Sequence, residues 1–143
     1  MKLDKNGIAL GDTKEDKKQR KQFIKEFYLH WESINPTKNV FNKSLNDFIN
    51  VRYVSVDETA GHASHRYMST LAVMFLSEIL ENAEKKGILQ NANPEKKSQK
   101  GFEKIITMEY LKETFGTIKL TVGVKRETKE KIQYCVTTIE NGR

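Results

Sequence analysis

Apolar and polar positions alternate along this chain with two different periods, and the change of period divides it. Between residues 13 and 35, Phe23, Ile24, Phe27, Tyr28, Trp31 and Ile34 recur at helical spacing on an otherwise charged segment. Thr13 followed by Lys14-Glu15-Asp16 supplies a cap and first-turn acids, and Asn35-Pro36 supplies a stop. The pattern predicts a helix over 13–35, preceded by a loose polar arm over 1–12. Residues 37–47 are polar and turn-like around Val40, Phe41 and Leu45. Residues 48–56 are apolar on both parities and rich in β-branched and aromatic side chains, which predicts a buried strand.

Asp57 then reads as the N-cap of a helix through a polar block, Asp57 to Arg66. Met68, Leu71, Ala72, Phe75, Leu76, Ile79, Leu80 and Ala83 continue a helical stripe, and Lys85-Lys86-Gly87 resembles a helix end. Residues 71–75 alone would also suit a short buried strand; the period over four turns favours helix throughout. Residues 90–101 form a basic loop, expected to be mobile.

The last third reads as a β-meander. A strand is expected over 104–111, with a turn at Gly116. Ile118, Leu120, Val122 and Val124 then alternate with Lys119, Thr121, Gly123 and Lys125. After a charged turn over 126–131, Ile132, Tyr134 and Val136 alternate with Gln133, Cys135 and Thr137. The expected fold is α+β, with N-terminal helices packed on one face of a C-terminal antiparallel sheet, a meander of three or four strands.

Composition changes this picture in three ways. The 143 residues suit one domain over 1–143, and hydrophobic residues at 37% are enough for a small core under a charged surface. The balance of 25 Lys and Arg against 19 Asp and Glu, a net +6, favours polyanionic partners. Cys135 is the only cysteine, so no intramolecular disulfide can form and a reducing compartment is expected. The first residues do not resemble a signal peptide, and no run approaches the ~20 apolar residues of a membrane span. A soluble, cytoplasmic protein without membrane contact is the expectation.

The candidate chemistry lies in two places. If Ile118, Leu120, Val122 and Val124 meet the helices, the opposite face offers Lys119, Thr121 and Lys125, with Gln133 and Thr137 from the neighbouring strand. Ammonium groups pair with phosphate and hydroxyls donate to its oxygens, so this face suits a phosphodiester backbone as well as plain solvent. In the polar block, Glu58, His62 and His65 share a helical face. A metal site built on those three lacks another strong ligand and is the least favoured reading; no cofactor is expected. Acid–base chemistry is the second reading. Metal-free RNA cleavage needs a base, an acid and cations, which His62 or His65, Arg66 and Lys119 could supply, with Ser64, Ser69 or Thr121 bonding the phosphate. A structural role for His62, oriented by Glu58, is the third.

Two stretches carry a family resemblance. One is Phe48 to Val56, followed by Glu58-Thr59, His62-Ala63, residues 69–73, Ile79-Leu80 and Asn82-Ala83. The other is Gly116 to Val124 with Ile132 to Thr137. Together they resemble small domains associated with large polyvalent proteins of phages and conjugative elements, similar in layout to the barnase, EndoU, colicin and RelE-type nuclease superfamily. The resemblance covers residues 48–139 and leaves out the first helix. It implies helices followed by a four-stranded antiparallel sheet with RNA on its open face. It also implies His62 as a catalyst, with Lys119 and Thr121 on the sheet, and assigns neither acid nor base. The expected function is metal-independent RNA cleavage or RNA binding in a mobile-element setting, with His65 a second proton carrier and Arg66 and Lys119 stabilising phosphate charge. The alternative is a non-catalytic module that binds nucleic acid or another protein. A third reading is an interaction protein that uses the aromatic stripe from Phe23 to Trp31.

Overall fold

A computed structural model describes residues 1–139. It is an α+β fold built on one mixed six-stranded sheet. The chain runs through α1 (Lys14–Ile34), β1 (Asn39–Asn42), β2 (Asp47–Asn50), α2 (Tyr53–Ala63), α3 (Tyr67–Val73), α4 (Leu76–Asn82), β3 (Glu84–Asn91), β4 (Phe102–Lys112), β5 (Gly116–Lys125) and β6 (Lys131–Thr138). The strand order is β1-β2-β6-β5-β4-β3, antiparallel except for β2 beside β6. The expected sheet of three or four antiparallel strands is not what forms: β3 arises where a helix end was expected, and the sheet is mixed. The sheet as a whole is larger, because a hairpin from between the helices joins it.

The helix α1 begins where capping chemistry dictates. Thr13 Oγ1 accepts from the Asp16 amide at 3.1 Å, and Asp16 Oδ2 accepts from the Thr13 amide at 3.0 Å. Its apolar stripe buries Ile24, Tyr28 and Trp31 in the main core, where α1 packs on α2 and α3, while Ile34 stays exposed. Residues 1–12 are not a loose arm. They fold back on α1, burying Ile8 and Ala9, and Gln19 bonds the Ala9 amide and the Gly7 carbonyl.

Arg20 is completely buried. Its guanidinium donates to the carbonyls of Ala9 at 2.9 Å, Gly11 at 2.6 Å, Ser64 at 2.8 Å and His65 at 3.4 Å. It clasps the arm to the corner between α2 and α3.

Three segments depart from their sequence patterns. The strand expected over 48–56 stops at Asn50, and Tyr53 opens α2 despite the β propensity of Tyr53, Val54 and Val56. Arg52, not Asp57, is the N-cap residue, and its amide donates to Ser55 Oγ at 2.9 Å. The helical stripe over 68–83 is interrupted at Met74-Phe75, since α3 packs on β6 and α4 on β1. Residues 71–73 are helical, so the strand alternative fails there. Residues 37–47 yield the β1–β2 hairpin. Buried Asn42 anchors it by donating to the carbonyls of Leu80 at 2.8 Å and Ala83 at 3.0 Å. The Lys85-Lys86-Gly87 run lies in edge strand β3, where Gly87 takes φ +66° at a register shift.

The edge of β6 determines how the helices dock. β2 covers only its first two residues, pairing Ile49 with Lys131 and Asn50 with Ile132. Beyond them α2 and α3 run along the strand and bond its backbone with side chains. Ser55 Oγ donates to the Gln133 carbonyl at 2.5 Å, Thr59 Oγ1 accepts from the Val136 amide at 3.3 Å, and Ser69 Oγ accepts from the Thr138 amide at 3.0 Å. Arg66 donates to the Thr138 carbonyl. Thr59 Oγ1 also accepts from Gln133 Nε2 at 2.9 Å, and Tyr28 donates to Gln133 Oε1 at 2.7 Å.

Thr59→Val keeps the shape and removes these bonds, leaving buried donors unpaired. It should destabilise the fold by about 1–3 kcal/mol, read as a lower urea midpoint, while Thr59→Ser should retain most of the stability. An unchanged midpoint for Thr59→Val would show that the edge does not depend on its hydroxyl.

Candidate nucleic-acid interface

Strand alternation gives the sheet an inner face that packs on the helices and an outer face that does not. Ile106, Met108, Ile118, Leu120, Val122, Val124 and Val136 point inward. Across the register Thr107, Glu109, Lys119, Thr121 and Thr137 point outward.

The alternation breaks once. Leu120 pairs with Val136 and Thr121 with Cys135, but Val122 pairs with Gln133, so Tyr134 is an extra residue. The bulge turns Gln133 inward, where it is completely buried. Gln133 therefore does not join Thr137 on the polar face, as strict alternation predicts. Tyr134 instead packs with Phe102, Ile105 and Ile132 in a second, smaller apolar cluster.

This small cluster exists because β5 is bare at Gly123. The Phe102 ring lies on that position, and a Cβ at Gly123 would stand 2.4 Å from it. The basic loop folds over the same cluster. Ser98 bonds the Tyr134 hydroxyl at 2.5 Å, Lys96 lies over the Tyr134 ring at 5.9 Å, the Arg126 amide bonds the Gly101 carbonyl at 2.8 Å, and Asn93 N donates to Gln99 Oε1 at 2.7 Å. The segment expected to be mobile is held at several points.

Between this loop and the first turns of α2 lies a groove of about 790 Å³. Val54, Phe102 and Ile132 make its apolar part. Arg52, Lys96, Lys97, Lys100 and Lys125 give it positive charge, against Asp57 and Glu58. Arg52 is paired with Glu130 at 3.3 Å. Among the described residues, no carboxylate lies within ion-pair distance of the four lysines. Tyr53 stands at the rim, 81% exposed.

Glu58 connects the groove to the histidine block. Its side chain is 14% exposed, and its Oε1 makes no hydrogen bond but lies 3.4 Å from His62 Nε2, one helical turn on. Its backbone carbonyl accepts from Cys135 Sγ at 3.7 Å. Burial, reinforced by Glu58 and partly opposed by Lys119 and Lys96, pushes the Cys135 thiol up to about 12.

The residues singled out in the sequence therefore fall into two groups. His62 is exposed beside Glu58. Lys119 is exposed on the outer face, within electrostatic range of Cys135, and Thr121 bonds the Cys135 carbonyl at 3.4 Å. These share the neighbourhood of Cys135 and Glu58. Arg66 reaches the Thr138 backbone, the His65 carbonyl accepts from Arg20, and Ser69 caps the β6 edge. Neither His62 nor His65 lines the groove. Among the described residues, no group of three His, Cys, Asp or Glu side chains is placed to hold a metal ion. None of the described helices is long and apolar enough to cross a membrane. Sequence reasoning missed Tyr53 because it sits in a β-like run; the signal was the four-residue spacing of Ser55 and Thr59. No protein-family model, curated protein or solved structure matches the chain.

The raised Cys135 value means that the thiolate, the reactive form, is scarce at neutral pH. Alkylation at pH 8 should be much slower in the native protein than in urea, and the gap should narrow as pH rises toward 12. Equal rates at pH 8 would mean the thiol is not held in this environment.

Proposed function

We propose that this chain is an RNA-binding module whose ligand lies in the groove on the outer sheet face. The observation that carries the reading is the set of four lysines, free of carboxylate partners among the described residues, around a partly apolar cleft. A phosphate chain gives such cations their counter-charge and releases condensed ions on binding. Lys119 and Thr121 extend the polar surface along β5. An exposed lysine cluster is commonly a solvated surface; the apolar floor and the neighbouring carboxylates distinguish this one, since solvent needs neither.

Cleavage is the second reading, and the Glu58–His62 pair favours it. With Glu58 facing Nε2 at 3.4 Å, the Nδ1 lone pair of His62 would take the proton of a ribose 2′-hydroxyl, and Glu58 would stabilise the imidazolium that forms. The 2′-oxygen would attack phosphorus as the 5′-oxygen leaves with a proton from an acid, the role left to His65. Lys119 would offset phosphate charge. Binding remains the leading reading because Glu58, and not His62, lines the groove.

RNA affinity should fall with salt at a log–log slope of about −2 to −3, as expected for four phosphates on a single strand. Combining Lys96→Glu, Lys97→Glu and Lys100→Glu should weaken binding at least ~10-fold and flatten the slope. No binding at low salt would overturn the proposal. Labelled RNA with chelator separates the two readings: cleavage by wild type that is lost in His62→Ala supports catalysis, and binding without cleavage leaves the module reading alone.

A further inference from the structure

The groove is more than a basic surface. A duplex presents its phosphates outward and its base faces nowhere, so lysines alone would suffice for it. This groove pairs its lysines with an aromatic ring and two acids. Tyr53 is on the first turn of α2, 81% exposed and outside both apolar clusters. Its position is set by Ser55, two residues on, which is tied to the Gln133 carbonyl at 2.5 Å. A tyrosine held on a rigid helix, with a bare ring beside an apolar floor, is a stacking platform. The opening, at about 790 Å³, has the size of a site for a small flexible ligand and not of a double helix.

The acids narrow the chemistry further. Asp57 and Glu58 lie among the lysines of the groove. A carboxylate repels phosphate, so these two would weaken a site built for phosphate alone. They accept hydrogen bonds from hydroxyl and amino groups, and the ribose 2′-hydroxyl is the donor that RNA has and DNA lacks. Asp57 is the exposed one of the two and is placed to accept from a ligand, whereas Glu58 already faces His62.

We infer that the groove takes unpaired RNA, with a base stacked on Tyr53, phosphates on Lys96, Lys97, Lys100 and Lys125, and a 2′-hydroxyl donating to Asp57. This rests on the RNA-binding reading and specifies its ligand. No covalent step is part of it.

The experiment compares an unstructured RNA oligonucleotide, its duplex and the DNA of the same sequence, by fluorescence anisotropy with the full chain. A second readout is 2-aminopurine fluorescence in the RNA, which quenches on stacking. The unpaired RNA should bind at least ~10-fold tighter than the duplex. Tyr53→Ala should lose about 10-fold for unpaired RNA, together with the quench, and leave duplex binding unchanged. Tyr53→Phe should retain both, which excludes simple misfolding. Asp57→Asn should reduce the preference for RNA over DNA, whatever it does to overall affinity. Equal affinity for unpaired and paired RNA, with Tyr53→Ala silent, would overturn this inference and leave the basic-groove reading standing. An unchanged RNA-to-DNA ratio in Asp57→Asn would overturn the ribose contact. Absence of all binding would instead overturn the RNA-binding reading itself.

Discussion

The fold depends on how the open edge of β6 is closed. A buried strand edge left bare would strand several backbone donors and acceptors away from water, each a cost of about 1–3 kcal/mol. Here two helices close it with side chains. Ser55, Thr59, Arg66 and Ser69 substitute for the backbone of a missing neighbour strand. That requirement places α2 and α3 parallel to the strand and uses up much of the polar chemistry between residues 55 and 69. Within the Asp57 to Arg66 block, Thr59 and Arg66 are spent on backbone satisfaction. Glu58 and His62 are the pair that remains outside this arrangement.

The same edge shapes the opposite face. With Gln133 drawn inward by Tyr28 and Thr59, one residue must be absorbed, and Tyr134 is that residue. Its ring becomes the pillar on which the basic loop rests, through Ser98 and Lys96. Phe102 adds an edge-on contact with Tyr134 at 6.2 Å between ring centres. The groove is thus a consequence of an inner-face hydrogen-bond network, transmitted across the sheet by a bulge.

What was legible in the sequence followed strong periodicity. The alternation of Ile118 to Val124 identified the central strand and its inner face, and the stripe of α1 identified a helix with its cap at Thr13. What was illegible depended on partners far along the chain. Residues 53–56 are β-formers that become helical because Ser55 meets Gln133 across 78 positions. The break at Phe75 arises from two helices serving different strands, which no local period encodes. The facing of Gln133 was inverted because a bulge leaves the composition of a strand unchanged. Of the proposed site, the lysines and acids were visible as residue types. Their convergence with Tyr53 was not, since the loop and helix that carry them are forty residues apart in order of magnitude.

Arg20 has a consequence of a different kind. Its charge is met by four carbonyl oxygens from two distant segments, and among the described residues no carboxylate is within ion-pair distance of it. Carbonyl dipoles do not titrate, so these four bonds do not depend on a carboxylate staying ionised, and Asp12 and Asp16 act on the guanidinium only through space. The planar fork, which spreads its donors in fixed directions, is what lets one side chain reach both segments; a lysine ammonium offers a single point. The N-terminal residues are thereby a structural part of the α2–α3 corner. A fusion or truncation there would be felt beside His65, on the far side of α1 in sequence, before it was felt anywhere in the sheet.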